Sequence, residues 1–298
     1  MLRGHEWSVH GVAWHPDGSV LASSGLDNAI RLWDPASGSS LQVIRDLDHP
    51  DTWFWGVAWS PDGKRLAGAT YGRGVLLWEV RAGAGRWIGR ELATWSRRLA
   101  WSPDGTRLVA GAGDGHLYVW DASDGRLLQR LAGHQGAVIS VAWSPDGTRL
   151  ASVGGGWGKG ELFVWDAQTG ACLSSWHEPS EVVYALAWSP AGAGLISGGS
   201  DGLLCWWDLR HGERVRVHKA HEGTVQALKV SPDGRTLASC SDDGAIKIWD
   251  VQSGEDLRTL RRDRPYERLK ITGIRGLSEA QKASLRALGA VEETSSDE

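Results

Sequence analysis

Apolar and polar positions alternate in short bursts along most of this chain, and Gly, Asp, Ser and Pro break the bursts at near-regular intervals. Segments such as SVHGVAW (Ser8–Trp14), VLASSG (Val20–Gly25) and AIRLWD (Ala29–Asp34) are short and rich in apolar and β-branched residues. Bounded by turn formers, they predict β-strands rather than helices. Between the first two lies His15-Pro16-Asp17-Gly18, which suits a tight hairpin: Pro presets φ at the second position and Gly closes the turn.

The turn recurs at 60–63, 102–105, 144–147, 189–192 and 231–234, in steps of 45, 42, 42, 45 and 42 residues. A second marker, Trp33, Trp78, Trp120, Trp165, Trp207 and Trp249, steps by 45, 42, 45, 42 and 42. Two markers with one period define six repeats, about 2–45, 46–90, 91–130, 131–175, 176–217 and 218–260. Each predicts three or four antiparallel strands. One such sheet cannot bury both its faces, whereas consecutive sheets can pack face to face around an axis. The expected class is all-β, with residues 1–260 as one repeat domain.

The pattern stops after Leu260. RRDRPYERLKITGIRG is basic, and LSEAQKASLRALGA predicts a helix over about 278–288, with Ser278 as N-cap, Gln281 three residues on and Gly289 past the end. Its Leu277, Leu285 and Leu288 offer a docking stripe. The closing VEETSSDE is polar and acidic and is expected to be disordered. Residues 261–298 thus form a C-terminal extension.

Composition narrows the function. The 298 residues suffice to bury a large core without disulfide or metal staples. Cys172, Cys205 and Cys240 are odd in number and lack CxxC spacing, which speaks against a disulfide framework or a zinc site and fits a reducing cytoplasm. A net charge of −4 makes general nucleic-acid binding unexpected. No apolar run reaches the ~18 residues of a membrane helix, and the first residues hold no signal-peptide core. No metal and no cofactor is expected.

The period, the Gly-His pairs near repeat starts (Gly4-His5, Gly133-His134) and the Trp-Asp pairs closing the third strand together resemble the WD40 repeat family, over residues 2 to about 260. Departures are Trp78-Glu79 in the second repeat and the missing in-register Gly-His of repeats 2, 3 and 5. The resemblance implies a WD40-type β-propeller of six sequence-visible blades, and a tetrad of His, Ser, Asp and Trp inside complete repeats. Two repeats carry all four, His5, Ser23, Asp27, Trp33 and His221, Ser239, Asp243, Trp249. The third keeps Asp114 but has Ala110. The fourth keeps His134 and Ser152 and loses the Asp across an insertion. The fifth keeps Ser197 and Asp201, and the second has Gly68 and Gly72. A buried Trp must place its indole N–H on an acceptor, which such a chain supplies.

Ser, His and Asp are also the parts of a hydrolase triad, and Gly198–Gly202 (GGSDG) fits the nucleophile-elbow pattern. That pattern needs a strand-to-helix turn, whereas here it lies between strands. The glycine-rich Gly154–Gly160 (GGGWGKG) lacks the Ser or Thr that a phosphate loop places after Lys, and is expected to be a longer loop between strands. His218 and His221 have metal-like spacing without a further ligand. The expectation is no enzyme.

Of 19 tryptophans, six belong to the third strands and five (Trp14, Trp59, Trp101, Trp143, Trp188) to the first strands, where Val230 stands in the sixth repeat. Trp55, Trp87, Trp176 and Trp206 fall within strands, where burial is expected. Trp7, Trp53 and Trp95 precede first strands, and Trp157 and Tyr71 follow second strands, all at one end. Aromatic loop tips anchor interfaces, so Trp7, Trp53, Tyr71, Trp95 and Trp157 are expected to bind a protein or peptide partner, with Arg97 and Arg98 adding charge near the channel. The alternative is a lid of the same rings folded onto the core.

The tail, Arg264 to Ala290, is similar to the segment closing many bacterial proteins in which WD40 repeats follow a signal-transducing NTPase module. With 25 Arg against seven Lys, this points to a cytoplasmic bacterial signalling or sensor scaffold. The second reading is a regulatory domain that controls a linked or partner NTPase through the tail. Closure of the ring stays open between six blades, completion by the tail, and a further blade upstream.

Overall fold

The computed structural model describes residues 2–92, 94–156, 159–178, 182–261, 269–272, 274 and 277–287. Each repeat folds into one four-stranded antiparallel sheet whose strands pair in chain order. Blade 1 holds β1 (Val9–Trp14), β2 (Leu21–Gly25), β3 (Ala29–Trp33) and β4 (Ser40–Ile44). Blade 2 holds β5 (Phe54–Trp59), β6 (Arg65–Thr70), β7 (Val75–Glu79) and β8 (Ala84–Ile88). Blade 3 holds β9 (Ser96–Trp101), β10 (Arg107–Ala112), β11 (His116–Asp121) and β12 (Leu127–Ala132). Blade 4 holds β13 (Ala137–Trp143), β14 (Arg149–Gly156), β15 (Lys159–Asp166) and β16 (Cys172–Glu178). Blade 5 holds β17 (Val183–Trp188), β18 (Gly194–Gly199), β19 (Leu203–Asp208) and β20 (Glu213–Lys219). Blade 6 holds β21 (Val225–Val230), β22 (Thr236–Ser241), β23 (Ala245–Asp250) and β24 (Asp256–Arg261). Successive first strands pack on one another from β1 to β21 and line a central channel. The protein is a six-bladed propeller with one short helix, α1 (Glu279–Ala287).

Both faces of a blade are apolar, so the core lies between blades. The described residues form five core clusters, one for each interface from blades 1 and 2 to blades 5 and 6. A polar latch repeats across the middle interfaces. The indole N–H of Trp101, Trp143 and Trp188 donates to the carbonyl of Ala58, Ala100 and Ala142 in the preceding blade, at 3.1, 3.2 and 3.2 Å. Over each of these rings lies a guanidinium of the preceding blade: Arg65, Arg107 and Arg149, at 4.8, 4.5 and 5.1 Å from the centroid. Each Arg also donates to carbonyls of the next blade, as Arg107 does to Ala167 at 2.8 Å. Stacking and hydrogen bonding thus converge on one side chain. Between blades 1 and 2, His15 takes the place of Arg, edge-on to Trp59 at 4.8 Å.

No core cluster of described residues joins blade 6 to blade 1, and β21 does not pack on β1 as the other neighbours pack. The consequence is visible in matched side chains. Trp59, Trp101, Trp143 and Trp188 are 7–8% exposed, whereas Trp14 is 56% exposed and Val12 64%. On the far face of blade 6, Ile246 and Leu260 are exposed in turn. Among the described residues, the ring is open at this join.

Inside blades 1 and 6, hydrogen bonds chain four side chains together. The Trp33 indole donates to Ser23 Oγ at 2.8 Å; Ser23 meets His5 Nε2 at 2.7 Å, and His5 Nδ1 meets Asp27 Oδ1 at 2.8 Å. Trp249, Ser239, His221 and Asp243 repeat this at 2.9, 2.7 and 3.0 Å. With a neutral imidazole the order is fixed: Trp donates to Ser, Ser to Nε2, and Nδ1–H to the carboxylate. Blade 4 corrects the sequence reading. The carboxylate there is not lost, because Glu161 replaces the Asp and accepts from His134 Nδ1 at 3.0 Å, with Ser152 and Trp165 completing the chain. The glycine-rich segment expected as a longer loop instead lengthens the hairpin, since β14 and β15 pair as far as Gly156 and Lys159. Glycines are required there: a Cβ on Gly154 would stand 1.9 Å from the Ala137 carbonyl oxygen. In blade 3 the Trp120 indole donates to Glu91 at 2.6 Å, and Trp207 of blade 5 donates to Ser197 at 2.8 Å.

At the tail, α1 opens with a reciprocal cap: Gln281 N–H donates to Ser278 Oγ and Ser278 N–H to Gln281 Oε1, at 3.3 and 2.8 Å. Ile271 is fully buried and Leu277 and Leu285 half-buried, while α1 packs extensively on no strand. Leu288, Gly289 and the acidic end lie outside the described residues.

Two predictions follow from these contacts. Truncating a latch that two blades share should cost far more than truncating its unshared counterpart: about 3–5 kcal/mol for Trp143→Ala against under about 1 kcal/mol for Trp14→Ala, read by urea unfolding. Equal losses would show that the join is closed in solution. For the blade 4 chain, burial pushes the Glu161 carboxyl up, but hydrogen bonds from His134, Gln135 and Gly136 outweigh it and hold the group below its ordinary value. A lowered folded value adds stability above the unfolded pKa of about 4.3, and that stability is lost as pH falls through the folded value. Glu161→Ala should therefore cost about 1–3 kcal/mol at pH 7, and the gap to wild type should narrow in unfolding experiments carried below pH ~4.

Candidate functional site

All six first strands are interrupted at the same place. Pairing slips between Val9 and Gly11, between Phe54 and Gly56, opposite Gly111 in blade 3, between Val138 and Ser140, between Val183 and Ala185, and between Val225 and Ala227. Each slip is a β-bulge, which twists a strand and re-aims a side chain. The residues so placed are His10, Trp55, Arg97, Ile139, Tyr184 and Gln226, each four positions before the Trp that ends its strand or, in blade 6, before Val230.

Several of these six meet around the channel. The His10 ring lies 4.8 Å from Trp55. The Arg97 guanidinium lies over Tyr184 at 5.6 Å and donates to Gln226 Oε1 at 2.8 Å. The Gln226 amide donates in turn to Asp242 at 2.9 Å. Side chains of blades 1, 2, 3, 5 and 6 thus form a collar where the first strands begin. Close backbone approach sets its position: a Cβ on Gly56 would lie 2.5 Å from the Arg97 carbonyl oxygen, and one on Gly11 would lie 3.1 Å from the Gly56 Cα. Only glycine lets β1, β5 and β9 come this near.

One residue further along, the layer consists of Gly11, Gly56, Arg98, Ser140, Ala185 and Ala227. Five are small; Arg98 alone is long, and it spans the channel to the Gln226 carbonyl at 3.4 Å. Below the collar the channel encloses about 700 Å³. Its chemistry is cationic. Arg97 and Arg98 have no carboxylate at ion-pair distance among the described residues, and Lys229 lines the channel lower down. Burial lowers the Arg98 pKa and Arg97 lowers it further, while Cys240 acts the other way. Burial also lowers the His10 pKa, helped by Arg97 and Arg98, which favours the neutral imidazole. The Trp55 indole N–H, which is buried, has no acceptor among the described residues.

The expected binding residues sit at the same end. Trp7 is 62% exposed, Trp53 39% and Tyr71 54%. Trp53 and Tyr71 lie 6.0 Å apart between ring centroids, and Tyr71 pairs with Trp95 in an isolated bridge. The structure therefore brings Trp53, Tyr71 and Trp95 together, whereas Trp7 stands apart on blade 1. Trp95 is half-buried, its indole nitrogen 2.6 Å from where a Cβ on Gly113 would be. Trp157 lies outside the described residues. Arg97 belongs to the collar rather than to the aromatic group. Ser200 and Asp201 of the elbow-like stretch lie in the turn from β18 to β19, where Asp201 caps the Leu203 N–H at 2.9 Å. His218 packs between the Trp206 and Trp249 rings.

Sequence reasoning passed over His10, Trp55, Tyr184 and Gln226. Their signal was a polar or aromatic residue four places before the latch in an otherwise apolar strand. Trp55, expected to be buried, is half-buried in the collar.

Known proteins bear on the repeats. The WD40 family, described as WD domain, G-beta repeat, matches residues 1–34, 41–79, 94–121, 125–166, 170–208 and 212–250. The chain is similar to a probable cytosolic iron-sulfur protein assembly protein CIAO1 homolog of Ixodes scapularis, 55% identical over 38 residues, which is 13% of this chain and 12% of that protein. It is also similar to a probable cytosolic iron-sulfur protein assembly protein Ciao1 of Drosophila mojavensis, 56% identical over 32 residues, 11% and 10% of the two. The chain thus spans about an eighth or less of the curated relatives it matches. Six matched segments, each ending at the third strand of a four-stranded blade, make the chain a member of the WD40 repeat family.

Proposed function

We propose that this protein is a non-catalytic scaffold that binds a protein or peptide at the end of the propeller where the first strands begin, as a signalling or sensor module of a bacterial cytoplasm. The observation that carries the reading is the cluster of Trp53, Tyr71 and Trp95 beside the collar, with Trp53 and Tyr71 well exposed. Large rings left in water on one end of a rigid body are typical anchors of an interface. Against catalysis stands the fate of the Ser, His and carboxylate sets. Each Ser oxygen is engaged by both a Trp and a His, and the His134 and His221 side chains have no exposed surface. A nucleophile so enclosed meets no substrate. The likeness to the iron-sulfur assembly proteins covers about one repeat, so it supports the blade and not a shared task. The bacterial and signalling part rests on the Arg-rich composition and on the resemblance of the tail.

Affinity capture from bacterial lysate with the wild type and with Trp7→Ala/Trp53→Ala tests the reading, after circular dichroism shows both folded. A protein held by the wild type and lost by the variant is expected, and Trp53→Ala alone should weaken its binding by about 2 kcal/mol, roughly 30-fold. Equal capture by both chains would remove the aromatic cluster from the interface.

A further inference from the structure

The collar has many hydrogen-bond donors and few acceptors. The Arg97 and Arg98 guanidiniums each carry five N–H donors, yet among the described residues each makes one hydrogen bond, to Gln226. The nearby Asp242 carboxylate accepts from the Gln226 amide, and the Trp55 N–H has no acceptor among the described residues. Around Arg98 the channel layer is made of Gly11, Gly56, Ser140, Ala185 and Ala227, none of which carries charge. The Asp242 carboxylate offsets part of the Arg97 charge without pairing with it, and spare donors converging on one point are the complement of a carboxylate or phosphate.

We propose that the collar is an oxyanion site and that its occupant is a carboxylate carried on an extended acidic segment of a partner protein. Arg97 and Arg98 would take the oxygens, with Trp55 and Tyr184 offering ring surface to the aliphatic part of the side chain. Two observations select a peptide over a free ion. The site lies at the mouth of a channel of about 700 Å³, and an aromatic cluster stands beside it. The contrast with the whole chain is useful too: the net charge is −4, so the positive collar is local and steers acidic segments to one place. This proposal rests on the binding-platform reading and specifies the chemistry of its partner.

The test uses the full chain and three probes: a ten-residue peptide of alternating Glu and Gly, the same peptide with Gln for Glu, and inorganic phosphate. Binding is measured by calorimetry and stability by thermal unfolding. The Glu peptide should bind at least tenfold more tightly than the Gln peptide and raise the melting temperature. Arg98→Met should weaken it at least tenfold while the variant still unfolds cooperatively. Arg98→Lys, which keeps the charge, should retain part of the affinity and serves if the Met variant does not fold. Arg258→Met, on exposed β24, should bind as wild type. A lower melting temperature for Arg98→Met with unchanged peptide binding would make Arg98 structural and end the proposal. Equal loss in the Arg258 variant, or equal binding of the Gln peptide, would end it as well. Phosphate matching the peptide in an Arg98-dependent way would overturn the peptide as occupant and leave a free-anion site. If the peptide fails while Trp7→Ala/Trp53→Ala still loses its captured partner, the platform stands and the collar falls.

Discussion

A four-stranded sheet with apolar residues on both faces can be covered only by other sheets, and from that constraint most of this molecule follows. Every blade between the ends has two neighbours, and its inner Trp is buried against the preceding one. Burial then forces the chemistry of the indole nitrogen, because an N–H away from water needs an acceptor. The protein meets the demand in two ways. Trp101, Trp143 and Trp188 of the first strands use a backbone carbonyl of the preceding blade, whereas the Trp59 N–H finds no acceptor among the described residues. Third-strand tryptophans other than Trp78 use a hydroxyl or a carboxylate, which in three blades belongs to a Ser, His and carboxylate chain. The same constraint explains Trp14. Its residue type is that of the other first strands, but no blade covers it, and it stands in water.

The repeat was legible in the sequence because packing between blades asks for the same residue at the same place each time. Trp spacing and the Pro-x-Gly turns carry that requirement directly, and Gly18, Gly63, Gly105, Gly147, Gly192 and Gly234 all adopt the positive φ those turns need. What the sequence hid was chemistry with more than one address. Glu161 and Glu91 do the work of acceptors from positions where no Asp would be sought, since a longer side chain reaches the same point from a different backbone site. The collar was hidden for another reason. Its members are related by a bulge, and a bulge is a fact of pairing between strands that a single strand does not display. Arg97 and Arg98 drew notice only as charges near a channel, although Arg98 is the one long side chain in a layer otherwise small.

Glycine links the packing to the site. Gly56 faces the Arg97 carbonyl, and Gly11 faces Gly56, so the first three inner strands approach to distances no side chain would permit. This closeness narrows the channel on one side and carries Arg97 far enough across to reach Tyr184 and Gln226 of blades 5 and 6. The collar therefore ties blade 6, at one end of the described ring, to blade 3 in its middle. Blade 6, which has no packed neighbour beyond it, is held to blade 3 through Gln226, the acceptor for both arginines.

That tie makes the collar more than a pocket. The interactions of Arg97 and Arg98 with blade 6 are one hydrogen bond of 2.8 Å and one of 3.4 Å, weak beside the apolar packing between adjacent blades. An anion engaging both guanidiniums would compete for donors that now hold Gln226, or would share them, since each guanidinium has donors to spare. In the first case the ligand loosens blade 6; in the second it fastens blades 3 and 6 more firmly. The geometry favours sharing, because Arg97 uses a single nitrogen for Gln226 and keeps its ring contact with Tyr184 on the other face. Ligand binding and the integrity of the open ring then draw on the same two side chains, so whatever fills the collar acts on the fold as well as on the partner.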